Sequence, residues 1–202
     1  MTLYLFAGPN GSGKSTLFND FLKQPEHRGL PYVCPDALFS RLHPDPPNDP
    51  IEYKQCYINA MKRSESLRDA LIGNGDDFAF ETVFSTPEKV EFLSDAKRRG
   101  YFISASFVTT NDPMLNIARV ARRVAQGGHD VPADKIVKRY YRSMELLRYL
   151  FDLADELNIY DNSASRYRLV YQHNAASYYL NPKFIREPWV RQFILPYIGP
   201  TT

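Results

Sequence analysis

Near the start of the chain, Gly8-Pro9-Asn10-Gly11-Ser12-Gly13-Lys14-Ser15-Thr16 has the residue types and spacing to hold phosphate. Glycines at 8, 11 and 13 let the backbone bend sharply and bring its N–H groups close to an anion. A helix starting near Lys14 aims its positive end at the same point. Lys14 supplies a mobile point charge for the outer phosphates, and the Ser15 hydroxyl suits a nucleotide-bound magnesium ion. Glycine, four residues, glycine, lysine, serine is the Walker A pattern. It predicts a nucleoside triphosphate site made by Gly8, Asn10, Gly11, Ser12, Gly13, Lys14, Ser15 and Thr16.

Such a loop needs a buried strand before it and a helix after it. Leu3 to Ala7 is a near-continuous apolar run, as a strand covered on both faces requires, and helix 14–23 follows. Further strands are predicted at 31–34, 78–80, 101–108, 157–160 and 167–172. Helices are predicted over 51–72, 86–100, from 112 to the turn at 127–132, over 133–155, and around Trp189. The proline-rich stretch 43–50 reads as an exposed loop. Strands alternating with helices predict an α/β fold of the P-loop NTPase kind. Its mainly parallel sheet is flanked by helices, in a single domain 1–202 with a helical lid over about 112–142.

Ligands in such sheets bind beyond the carboxyl ends of the strands, which gathers the loop, Asp36, Glu81, Thr82 and residues 109–112 on one rim. Asp36 could accept a proton from a hydroxyl attacking a γ-phosphate, and is equally placed to cap the helix that follows Pro35. Arg41 could reach a substrate anion. Glu81 could bind a substrate hydroxyl or hold magnesium through water, with Thr82 adding a polar contact. Asp161 competes for magnesium, although the Asn-Ser after it reads as a turn.

Arg119, Arg122 and Arg123 fall at helical spacings, as do Lys135, Lys138, Arg139 and Arg142 beyond the Gly-Gly turn. Two basic faces around a hinge-like loop are what a lid over a triphosphate needs: cations for the transferred phosphoryl, and closure that excludes water. Arg123 and Arg139 are the preferred members.

The totals exclude other classes. With 202 residues and a net charge of +2, the chain has no overall basic excess to attract nucleic acid. Its two cysteines give no disulfide framework and predict a reducing compartment. Its four histidines show no metal-ligand spacing, and no apolar run approaches a membrane span. The expectation is a soluble cytoplasmic protein with no membrane contact.

Taken together, residues 7–16, Pro35-Asp36, Glu81-Thr82 and the arginines 119–123 resemble the zeta-toxin family of P-loop small-molecule kinases. Gly127-Gly128-His129-Asp130-Val131-Pro132, with Lys135, Arg139 and Arg142, is similar to a branch whose lid carries Gly-Gly-His-x-Val-Pro. The likeness runs from residue 1 to about 162. It implies ATP-dependent phosphorylation of a small hydroxylated acceptor, in better-known members the 3′-hydroxyl of UDP-N-acetylglucosamine. It implies Lys14 and Ser15 for ATP and Mg2+, Asp36 as base, Glu81 and Thr82 for substrate, and lid residues Arg119, Arg122, Arg123, His129, Arg139 and Arg142 toward the phosphates. An antitoxin protein is the implied partner.

Two other classes stay open beside the kinase: a non-kinase ATPase, and a regulatory module that clamps nucleotide without chemistry. The chain lacks the Asn-Lys-x-Asp of a GTPase and the Leu-Ser-Gly-Gly-Gln of a transporter ATPase.

Overall fold

The computed structural model describes residues 1–128 and 130–198. Seven strands form one sheet in the order β2-β3-β1-β4-β5-β6-β7. They are β1 (Thr2–Ala7), β2 (Tyr32–Val33), β3 (Phe78–Thr82), β4 (Phe102–Thr109), β5 (Glu156–Asp161), β6 (Arg168–His173) and β7 (Tyr178–Leu180). The first five run parallel and the last two pairings are antiparallel. β1 lies inside the sheet between β3 and β4, which explains its unbroken apolar run: Leu3, Leu5, Phe6 and Ala7 are all buried.

Register brings the strand ends to one rim, with Ala7 opposite Thr82 and Phe107, and Thr109 opposite Asp161. The helices are α1 (Lys14–Leu22), α2 (Pro35–Leu42), α3 (Pro50–Asn74), α4 (Pro87–Arg98), α5 (Pro113–Val124), α6 (Ala133–Leu146), α7 (Arg148–Leu153) and α8 (Pro188–Phe193). Local chemistry sets several starts. Asp49 caps α3 by accepting from the N–H groups of Ile51 and Glu52, and Asp112 caps α5 through Met114 N–H. Proline is the first residue of both helices, where its missing N–H loses nothing. Gly75 ends α3 in the left-handed conformation.

The main core joins Leu3, Leu5, Phe80, Ile103, Phe107, Leu157 and Ile159 to Leu147, Leu150 and the C-terminal Phe184, Trp189, Val190 and Ile194. Phe6, Phe18 and Ala79 make a smaller cluster under α1. A third, of Val120, Val131 and Ile136, joins α5 to α6.

Three sequence expectations change. The helix predicted over 133–155 is two, α6 and α7, joined at the buried Leu147. The strand predicted at 31–34 shrinks to Tyr32–Val33, because Cys34 caps α2. β7 carries the exposed pair Tyr178 and Tyr179, whose outward rings gave no core pattern to read. Among the described residues no helix is long and apolar enough to cross a membrane.

Candidate active site

The phosphate loop leaves β1 and enters α1 through glycines in the left-handed region, with φ of 134° at Gly8 and 104° at Gly13. At Gly8 the requirement is also one of space: a Cβ would lie 2.0 Å from the carbonyl oxygen of Val108 on β4. Three loop carbonyls are taken up by distant side chains. Asn116 donates to Asn10 O (2.6 Å), Asn162 to Ser12 O (2.7 Å) and the Tyr167 hydroxyl to Gly13 O (2.7 Å). With those three acceptors engaged, less carbonyl charge is left to oppose an anion at the loop's N–H groups.

Lys14 is buried, and its ammonium donates to the carbonyl of Pro9 at 2.9 Å. Loss of hydration holds its pKa below the ordinary value; Glu81 and then Asp36 oppose that shift, while Arg123 adds to it. The Ser12 hydroxyl is buried and has no hydrogen-bond partner among the described residues. A desolvated cation and an orphaned hydroxyl in one loop fit a triphosphate.

Glu81, at the end of β3, accepts from Ser15 Oγ at 3.0 Å through one oxygen and from the Tyr32 hydroxyl at 2.5 Å through the other. Tyr32 is fixed by stacking on Phe18, with ring centroids 3.7 Å apart. Burial, then the charge of Glu81, drives its phenol pKa upward, so it remains a neutral donor. Burial also pushes the Cys34 thiol up to about 11, which keeps it protonated and unreactive at neutral pH. Among the described residues no three His, Cys, Asp or Glu side chains could hold a metal by themselves. Magnesium carried in on a nucleotide needs only one or two protein oxygens, and the Ser15 and Glu81 pair fits that need.

Asp36 is the second residue of α2, after the capping Cys34 and Pro35, so the capping role open to it in the sequence is not the one it takes. Its carboxylate accepts from the hydroxyl of Tyr57 on α3, at 2.5 Å. Thr82 accepts from Phe84 N–H at 3.1 Å, bracing a buried phenylalanine whose φ is 53°. That left-handed residue is a local cost held two positions past the rim.

The basic faces resolve into single arginines. Arg123 and Arg139 are half-buried. Arg139 donates to Asn10 Oδ1 at 3.5 Å and acts on the phenol of Tyr57, while Arg123 acts on Lys14 and Tyr53. Arg119 is spent differently, donating to the carbonyl of Asn162 at 2.7 Å. Arg41, Arg122, Lys135, Lys138 and Arg142 are exposed, and His129 lies outside the described residues. The predicted hinge is pinned at Val131, which is buried between α5 and α6. α6 is tied to the rim as well, where the Tyr140 hydroxyl donates to Thr110 O at 2.5 Å. Asp161 is buried and paired with Arg168 at 2.7 Å, its other contacts going to Ser163, which matches the turn.

Asn116, Asn162, Tyr167, Tyr32 and Tyr57 were not singled out from the sequence. Only Asn162 had a signal, since it follows a strand end on the rim.

The family model described as Zeta toxin matches residues 2–175. A Haemophilus influenzae protein described as uncharacterized is 27% identical over 137 residues, 67% of this chain and 89% of that protein. Among solved structures, the complex of AvrRxo1-ORF1 and ORF2 with ATP gives a TM-score of 0.72 at 13% identity, over 100% of this chain and 65% of that one. The present chain thus spans just under two thirds of that protein. A structure from the PezAT chromosomal toxin-antitoxin system of Streptococcus pneumoniae gives 0.59 at 21% identity, over 85% of this chain and 71% of that one. At these identities the solved structures establish the fold.

Proposed function

The chain belongs to the zeta-toxin family, and from that membership we propose that it is an ATP-dependent kinase, moving the γ-phosphoryl of ATP to a hydroxyl of a small molecule. The observation that carries this reading is the division of labour between two carboxylates. Glu81 is hydrogen-bonded to Ser15 of the phosphate loop, whereas Asp36, on α2, is hydrogen-bonded to Tyr57 and acts on Lys14 through its charge. An enzyme that only bound nucleotide would have no evident use for the second.

In this reading the N–H groups of residues 8–16 and the Lys14 ammonium hold the phosphates. Ser15 and Glu81 would hold Mg2+, directly or through water, and the ion supplies positive charge against the outer phosphates. Asp36 takes the proton of the acceptor hydroxyl as its oxygen bonds to the γ-phosphorus and the bond to ADP breaks. The products are ADP, a phosphomonoester and the proton held on Asp36. Arg123 and Arg139 offset the charge on the transferred group. Arg119 acts at one remove, by holding the loop that supports Ser12.

Thr82 and Arg41 are assigned to the acceptor side. The finer assignment, a nucleotide sugar such as UDP-N-acetylglucosamine, rests on the family resemblance, as does an antitoxin partner. In this reading residues 1–202 belong to one cytoplasmic domain with its lid at about 112–142.

The test is γ-labelled ATP with UDP-N-acetylglucosamine and a panel of hydroxylated metabolites. Label should appear in at least one acceptor and be lost in Asp36→Asn at unchanged ATP affinity. Ordinary ATP hydrolysis with no labelled acceptor would leave the non-kinase ATPase instead, and nucleotide binding with no turnover the regulatory module.

A further inference from the structure

We propose that Tyr57 is a positioning residue for Asp36, holding the carboxylate in the orientation that proton transfer from the acceptor needs; the proposal rests on Asp36 being the base. The two residues come from different helices, and the Tyr57 hydroxyl donates to Asp36 Oδ1 at 2.5 Å. A carboxylate in the first turn of an eight-residue helix turns freely about its last torsion. A phenol on one oxygen removes that freedom and assigns the other to the acceptor. Orientation of this kind is a large part of what positioned groups contribute to rate.

The phenol is itself well anchored. Phe39 packs against Tyr57 edge-on at 5.5 Å and against Tyr53 at 4.9 Å, and α3 is fixed at its start by the Asp49 cap. Burial and the neighbouring Asp36 charge drive the Tyr57 pKa upward, so its hydroxyl donates and does not compete for the proton. The same device recurs at Glu81, which takes the Tyr32 hydroxyl at the same 2.5 Å. Each acid of the site therefore carries one half-buried phenol, supplied by a different element. A packing role alone would be met by phenylalanine at either position.

The experiment is a double-mutant cycle with Tyr57→Phe, Asp36→Asn and the pair. It follows γ-phosphoryl turnover from labelled Mg·ATP to water and to a cell metabolite extract, with ATP affinity measured alongside. Tyr57→Phe keeps the ring against Phe39 and is expected to bind ATP within about twofold of wild type, while kcat falls at least about tenfold and KM for ATP holds. Asp36→Asn should lose about a hundredfold or more, the scale of general-base catalysis. The double variant should be no slower than Asp36→Asn, because a positioning group has nothing left to position. Wild-type kcat in Tyr57→Phe beside a dead Asp36→Asn would overturn the positioning role and leave the kinase reading standing. Losses that multiply in the double variant would overturn it too, by giving Tyr57 an effect of its own. Wild-type turnover in Asp36→Asn would remove the base, and the positioning role with it.

Discussion

Lys14 concentrates the conflict between stability and function in one side chain. Its ammonium is buried against a single backbone carbonyl, and lost hydration lowers its pKa from the ordinary 10.5. Unfolding returns the group to water and raises the pKa, so the unfolded chain binds more protons between the folded value and 10.5. This group therefore makes the nucleotide-free protein more stable as pH rises through that window. Phosphate supplies an opposite charge and raises the folded pKa, so ATP binding should take up protons in the same alkaline window. Calorimetry in buffers of different ionisation enthalpy would measure the uptake, and release of protons would contradict the assignment. Lys14→Met should abolish both the uptake and tight ATP binding. It should also stabilise the nucleotide-free protein by about 1 kcal/mol, roughly 2–4 °C in Tm, because an apolar side chain replaces a desolvated charge.

At the scale of elements, the loop after β5 and the start of α5 act together as a brace on the phosphate loop. Asn162 and Tyr167 come from the first and Asn116 from the second, and Arg119 of α5 locks the two to each other. Tyr167→Phe keeps the ring and removes only the donor to Gly13 O. The expected cost is about 1 kcal/mol of stability and roughly a fivefold loss of ATP affinity. Chemical denaturation and calorimetry would measure the two, and unchanged affinity would mean that the brace does not shape the loop. With Val131 buried between α5 and α6 and Tyr140 tied to the rim, Arg123 and Arg139 are presented by an anchored helix pair.

At the scale of the whole molecule, the stretch 176–198, beyond the end of the family match at 175, contributes to the core. Phe184, Trp189, Val190 and Ile194 are buried in the same cluster as the central strands. Each contributes about 1.5–3 kcal/mol on burial, so their sum rivals the net stability of an ordinary domain. A chain ending at 175 should lose its near-ultraviolet dichroism and its cooperative unfolding. Trp189→Ala should cost about 3–5 kcal/mol in urea denaturation. Trp189→Phe should cost far less, because the buried indole N–H has no hydrogen-bond partner among the described residues to forfeit. Equal losses in the two variants would show that the indole, and not the ring volume, matters there.

Much was legible because it is encoded locally. The spacing of Gly8, Gly13, Lys14 and Ser15 is a contiguous pattern, and burial on both faces of β1 forces an apolar run that alternation with helices turns into a parallel sheet. Parallel strands share one carboxyl rim, so the sequence alone assigns Asp36 and Glu81 to it. What each does on that rim was not legible. Asp36 takes its phenol from 21 residues away, Glu81 from 49, and the loop carbonyls take their donors from 106 to 154 residues along the chain. Asparagine and tyrosine at such separations have no spacing rule to betray them, because only the folded backbone brings their partners within 3 Å. The sequence by itself determined the phosphate loop, the layer architecture and the rim. Tertiary structure alone decided which hydroxyl holds each carboxylate and what keeps the loop's carbonyls engaged.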